Sequence, residues 1–203
     1  DNIGFIYVLN FDTGKLVWIK NHGIPLKSNI KIFDKKIYLI NQDNRLLSLN
    51  QKDGSIIWDV RSATSFIKTQ NLLSLAIAPD GTLIALNSAG NLLKIKASNG
   101  QIYWSLKISA FTFIQDNDFF SSSKIVIDEN AIIFSSQSSI FSINLSSGYL
   151  NWKLDMNLKN TPIIDKKNVY LVSDSGYFVN VDKITGKVIW SVNILKALKR
   201  RKQ

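Results

Sequence analysis

Five times in this chain a glycine is followed four residues later by a tryptophan: Gly14/Trp18, Gly54/Trp58, Gly100/Trp104, Gly148/Trp152 and Gly186/Trp190. These are all the tryptophans of the protein. Self-similarity at a spacing of about 40 to 50 residues is the signature of a propeller or another repeat architecture. The series therefore restricts the fold before any residue is weighed for chemistry, and it contains no catalytic group.

The repeat can be phased. Asp34, Asp80, Asp128 and Asp165 each precede the next tryptophan by 24, 24, 24 and 25 residues. Within that interval one pattern recurs, clearest in Ile37–Ile40, the turn Gln42-Asp43-Asn44, Leu46–Leu49, the turn Lys52-Asp53-Gly54 and Ile56-Ile57-Trp58. Short β-branched and aromatic runs split by Asp, Asn, Ser and Gly read as hairpin-linked strands. With the apolar stretch before each aspartate (Ile30–Phe33, Leu72–Ala78, Lys124–Ile127, Pro162–Ile164), every unit has four antiparallel strands, A to D. Four strands per unit of this length make a propeller blade.

The spacing predicts an all-β propeller of four full blades, 21–61, 62–108, 109–155 and 156–193, behind a C–D half blade at 1–20 and ahead of a basic tail at 194–203. An unclosed ring exposes strand edges, so the expectation is one propeller domain belonging to a larger ring of about eight blades. Composition agrees. Glu129 is the only glutamate among fifteen acidic residues, and a chain so poor in that helix former is a poor candidate for helices. No apolar run reaches membrane-spanning length. Cysteine is absent, which excludes disulfides and thiolate metal sites.

The net charge of +10 raises the question of an acidic partner or nucleic acid. The lysines are scattered over turns and strand ends, however, as expected of a solvated surface with blunted edges. The one dense run, Lys196 to Lys202, reads as a terminal tail. No RNA-binding motif accompanies it, so nucleic acid is not the expected partner.

Catalytic and metal-binding constellations are equally hard to build. His22 is the sole histidine, which rules out a paired-histidine metal site or a conventional triad. Asp116-Asn117-Asp118 lacks the following glycine and distal glutamate of a calcium loop. The remaining aspartates fall in turns, which their side chains close. The reading is of a chain with no catalytic residues, no cofactor ligands and no metal site.

Phe11-Asp12-Thr13-Gly14-Lys15-Leu16-Val17-Trp18 and Asp182 through Trp190 resemble the tryptophan-docking repeat of pyrroloquinoline-quinone (PQQ)-like propellers, of the form Ala-x-Asp-x-x-Thr-Gly-x-x-x-Trp. The resemblance covers nearly the whole chain. Departures occur at the family's alanine, here Val8, Ser48, Lys94, Ser142 and Asn180, and in four copies at its aspartate, here Asn10, Asn50, Lys96 and Asn144, while Asp182 keeps it. WD40 propellers are a poorer match, since only Trp58-Asp59 makes their dipeptide. The resemblance implies that each tryptophan docks over the glycine turn of a neighbouring blade, and all five are expected to be buried there. Within the family the chain is most similar to the BamB-like lipoproteins of outer-membrane β-barrel assembly. That similarity implies a non-enzymatic scaffold on the periplasmic side of a Gram-negative outer membrane, with the barrel-assembly protein as partner and a lipid anchor that this chain lacks. The alternatives are a PQQ-dependent dehydrogenase-like propeller or another binding role.

A partner surface is expected where the repeat varies. The intervals from each tryptophan to the next aspartate are 16, 22, 24 and 13 residues, and they hold the D–A connections. Binding residues are usually carried on such loops. The longest contains Phe111, Phe113, Ile114, Phe119 and Phe120. These residues either cap the core or form an exposed aromatic patch able to anchor a partner.

Overall fold

The computed structural model describes residues 3–63, 71–111, 120–136, 138–158 and 160–196. It divides into two compact units, Asp1–Lys107 and Ile108–Gln203. The first holds the antiparallel pair β1 (Phe5–Leu9) and β2 (Leu16–Asn21), followed by two four-stranded sheets. One sheet is β3 (Lys31–Phe33), β4 (Lys36–Ile40), β5 (Arg45–Asn50) and β6 (Ile56–Arg61). The other is β7 (Ser74–Ile77), β8 (Leu83–Leu86), β9 (Asn91–Ile95) and β10 (Ile102–Lys107). The second unit repeats the design with β11 (Val126–Asp128) to β14 (Leu150–Asp155), through β12 (Ala131–Ser136) and β13 (Ser139–Asn144). It ends with β15 (Ile163–Asp165), β16 (Asn168–Val172), β17 (Tyr177–Asp182) and β18 (Val188–Asn193). Spatial order within each sheet follows chain order, as in the blades of a β-propeller.

The C–D turns are built alike. The amide of each repeat glycine donates to the carbonyl four residues earlier (Gly14 to Asn10, Gly54 to Asn50, Gly100 to Lys96, Gly148 to Asn144, Gly186 to Asp182) at 2.8–2.9 Å. These glycines take φ between 66° and 78°, left-handed values that a side chain resists. Directly across from each tryptophan, on strand C, stands Val8, Ser48, Lys94, Ser142 or Asn180. Apart from Lys94 these are compact residues beside a bulky indole, the steric need that alanine meets in the family repeat.

Docking between consecutive sheets follows one geometry. A Cβ added to Gly54 would lie 2.7 Å from the Trp18 indole, one on Gly100 2.9 Å from that of Trp58, and one on Gly186 2.7 Å from that of Trp152. In each case the indole N–H donates to the carbonyl three residues before that glycine: Trp18 to Gln51 at 3.0 Å, Trp58 to Ala97 at 2.9 Å, Trp152 to Lys183 at 2.8 Å. The glycine removes the side chain that would bar the ring, and the turn supplies the acceptor that a buried N–H requires.

The cores lie between sheets. Ile6, Val8 and Trp18 pack with Ile37, Leu39, Leu47 and Leu49. The opposite face of β4 and β5, with Tyr38, Ile40 and Leu46, packs against Leu75, Leu83, Leu93 and Ile95. In the second unit Ile133, Ile140 and Trp152 meet Val169, Leu171, Val179 and Val181. Both faces of β4 and β5 are thus covered, which explains their unbroken apolar runs.

The expectation that all five tryptophans are buried is corrected. Trp152 is buried at 7 % exposure, Trp18, Trp58 and Trp104 are half-buried, and Trp190 is exposed at 38 %. A docked indole lies flat on a turn with its outer edge open to water. Trp190 has no later Gly–Trp repeat in this sequence to lie on.

Candidate partner surface

The B–C turns and D–A connections share one end of each blade. In the first unit they are stitched together by backbone bonds. Lys27 N–H donates to the Ile40 carbonyl at 2.9 Å, Gln42 N–H to Pro25 at 2.8 Å and Leu73 N–H to Lys27 at 2.6 Å. A side-chain ladder reinforces them. The Asn44 carbonyl accepts from the amide and hydroxyl of Ser62 at 2.9 and 2.7 Å, while its Oδ1 accepts from the amide and hydroxyl of Ser88 at 3.1 and 3.0 Å. Asn87 Nδ2 returns to the Ser62 carbonyl at 3.2 Å. Asn44 tolerates its φ of 57° because asparagine accepts left-handed geometry better than most residues. Two turns from different sheets are thereby fixed together as a rigid platform.

His22 lies in the first D–A connection. Burial, then the charge of Lys20, lowers its pKa below the ordinary 6.5, so the imidazole is neutral at pH 7. Its Nε2 is buried without a partner among the described residues.

The longest D–A connection opens with a 3₁₀ turn, Ile108–Phe111. Ile108 is fully buried, Phe111 half-buried and Phe120 only 5 % exposed. Phe120 is therefore removed from the expected patch, because its ring is withdrawn from water. Phe113, Ile114 and Phe119 lie outside the described residues. The sequence reading also missed exposed apolar side chains on and beside the short A strands: Ile30 at 48 %, Ile32 at 60 % and Leu72 at 65 %. Their residue types matched a core strand; the place of that strand at the edge of its sheet is what leaves them open.

At the opposite blade end, a cleft of about 320 Å³ separates the last two sheets, lined by Asp128, Glu129, Asn130, Asn144, Asn151 and Lys183, among others. Lys183 Nζ reaches Asp128 at 2.6 Å and Glu129 at 3.2 Å, and the hydrogen bond to Asp128, more than the one to Glu129, raises its pKa above 10.5. This ion pair joins the A–B turn of one blade to the C–D turn of the next. Gln51 and Ala97 hold the equivalent position in earlier blades and cannot form it. The only glutamate in the chain was the available sign of something particular here.

The turn carboxylates are engaged in closing turns. Asp182 Oδ1 accepts from the amides of Ile184 and Thr185 and from the Thr185 hydroxyl at 3.1, 2.7 and 2.8 Å. The Thr185 amide and hydroxyl hold its pKa below 3.8. Asn10 and Asn144 close their turns in the same way. Among the described residues no three His, Cys, Asp or Glu side chains stand close enough to hold a metal ion. No helix among the described residues is long and apolar enough to cross a membrane.

Comparison with known proteins agrees with this geometry. The family profile of outer membrane protein assembly factor BamB matches residues 4–192. BamB of Yersinia pestis is 23 % identical over 189 residues, covering 92 % of this chain and 48 % of the relative. BamB of Moranella endobia is 21 % identical, covering 94 % and 53 %. The crystal structure of BamB from Moraxella catarrhalis superposes with a TM-score of 0.71 at 15 % identity, over 94 % of this chain and 59 % of the other. The quinohemoprotein alcohol dehydrogenase of Comamonas testosteroni gives 0.73 at 13 % identity, over 95 % and 40 %. The chain spans about half the length of these BamB relatives. A match from the first hairpin to the last strand, on blades joined by indole-over-glycine docking, has one meaning: the chain belongs to the outer membrane protein assembly factor BamB family.

Proposed function

We propose that this chain is a non-enzymatic β-propeller scaffold for outer-membrane β-barrel protein assembly. It works on the periplasmic side of the outer membrane of a Gram-negative bacterium, with the barrel-assembly protein as its partner. The observation that carries this reading is the family match over residues 4–192. The chemistry supports it: turn carboxylates close hairpins or pair with lysines, the one histidine is partly buried with a lowered pKa, and among the described residues no base stands ready beside a nucleophile. The platform built on Asn44, Ser62 and Ser88 is the kind of rigid support on which binding loops are displayed.

The test is a binding titration of the chain against the purified barrel-assembly protein, read by calorimetry. Saturable binding supports the reading, and its absence for the folded chain defeats it. The same titration with Phe113→Ser and Ile114→Ser combined examines the longest connection; undiminished binding in a folded variant removes it from the contact. The second reading, a dehydrogenase-like propeller, is favoured only by the shared fold. Supplying PQQ and calcium and following dye-linked alcohol oxidation separates the two, with no turnover expected.

A further inference from the structure

Asn99-Gly100 is the only Asn–Gly step in the chain, and it lies in the C–D turn over which Trp58 docks. Thr13, Asp53, Ser147 and Thr185 precede the other repeat glycines, so this turn alone carries a carboxamide there. Asparagine is a chemically labile residue. Before glycine its reaction is specific: the glycine backbone nitrogen attacks the side-chain Cγ, the Cγ–Nδ2 bond breaks, and ammonia leaves with the amide proton. The product is a cyclic succinimide. Water then opens the ring at one of its two carbonyls, giving aspartate or isoaspartate. Glycine favours the step because no side chain crowds its nitrogen or restricts its backbone.

The fold presents one reactant and withholds the other. Asn99 is exposed, and its Oδ1 accepts the Gln101 N–H at 3.1 Å, a bond that draws charge from Cγ and favours attack there. Gly100 is buried, with φ of 78°, and its N–H donates to the Lys96 carbonyl at 2.9 Å. The proton that must leave is therefore engaged. The preceding sheet pins the turn in this state. Trp58 Nε1 and the Tyr38 hydroxyl both donate to the Ala97 carbonyl, at 2.9 and 3.1 Å. A Cβ added to Gly100 would lie 2.8 Å from Val60 Cγ2 and 2.9 Å from the Trp58 indole.

The two products differ in their fit. Asp53 holds the same place in the preceding C–D turn, where its Oδ1 accepts the Ser55 N–H at 2.9 Å and Gly54 N–H donates to Asn50 at 2.8 Å. An aspartate at position 99 thus suits the turn as it stands. Isoaspartate carries the main chain through Cβ and Cγ, which lengthens the turn by a methylene and moves Gly100 out of register beneath Trp58.

We propose that Asn99-Gly100 is a deamidation site gated by the docking of Trp58. Cyclisation proceeds when the sheet β3–β6 opens away from the turn, and isoaspartate formed there keeps the two sheets from closing again. Opening of this junction, a local event short of global unfolding, is thereby recorded covalently.

The experiment is incubation of the chain in mildly alkaline buffer, with and without denaturing urea, followed by peptide mapping that separates aspartate from isoaspartate at position 99. The folded chain is expected to convert at least about tenfold more slowly than the unfolded chain, because opening limits it. Trp58→Phe keeps a ring over the turn but loses the indole donor; shown to be folded by circular dichroism, it should convert severalfold faster than the wild-type chain. Equal rates in the folded and unfolded chains overturn the gating, and so does a folded Trp58→Phe variant that converts no faster than wild type. Thermal melting of the separated products tests the second half. The isoaspartate form should melt well below wild type and Asn99→Asp close to it, whereas equal melting of the two forms would overturn the loss of docking.

Discussion

Gly186 carries the indole of Trp152 so closely that a single added methyl would lie 2.7 Å from its Cγ and Cδ2. The same glycine holds a φ of 71°. Gly186→Ala therefore meets two costs, overpacking of about 1–3 kcal/mol and left-handed strain of about 1–2 kcal/mol. Gly14→Ala meets only the second, because nothing lies within 4 Å of its Cβ position. Urea unfolding of the two variants should show a clearly larger loss for Gly186→Ala; equal midpoints would mean that the docking contact is not tight.

Trp152→Ala should destabilise the chain by about 3–5 kcal/mol, the usual range for a buried aromatic truncation. Trp190→Ala should cost markedly less, because its ring is already 38 % in water. Thermal melting of both variants checks the ranking, and an equal drop would show that exposure misrepresents their roles.

Lys94 occupies a position where other blades carry serine, valine or asparagine, and its side chain is only 10 % exposed while it pairs with Asp80 at 2.8 Å. Removing the anion by Asp80→Asn leaves the ammonium buried against a neutral partner, with an expected loss of about 1–3 kcal/mol. Lys94→Met removes the buried charge and keeps much of the volume, leaving half-exposed Asp80 to water, so its cost should stay below about 1.5 kcal/mol. Chemical denaturation that ranks Lys94→Met as the worse of the two would contradict this asymmetry.

The same pair sets a pH dependence. Burial works to raise the Asp80 pKa, but hydrogen bonds from Lys94 and Thr82 outweigh it and bring it below 3.8. A carboxyl whose pKa is depressed on folding contributes stability that is complete above its unfolded pKa and is lost as the pH falls through the folded one. The gap in melting temperature between the wild-type chain and Asp80→Asn should therefore be full near pH 6 and close progressively below about pH 4. A gap that persists at pH 2 would assign the effect to packing.

Blade number, strand order and the docking glycines were legible because each rests on local chemistry repeated at fixed spacing: a turn that needs left-handed φ, β-branched runs and one large ring. Strand C was readable for the same reason, since each copy is a short apolar run between two turns. Exposure was not. Trp152 and Trp190 share a motif, and only the presence of the next blade separates 7 % from 38 %. Phe120 and Phe111 differ likewise through tertiary surroundings that composition does not encode. The ion pairs of Lys94 and Lys183 escaped notice because they join residues brought together by strand register and blade stacking.

Among the described strands, every hydrogen-bonded pair joins sequence neighbours, from β1 with β2 to β17 with β18. No sheet waits for a distant segment, so loop closure stays short and topology favours rapid formation. During synthesis each blade can complete itself as its fourth strand emerges. Within each unit what then passes along the chain is a one-directional zippering, in which Trp18, Trp58 and Trp152 are each offered to the sheet that follows, as in a nearest-neighbour lattice. Such a unit satisfies its own backbone and exports a single ring, so it can be copied in tandem without redesign of the copies already present.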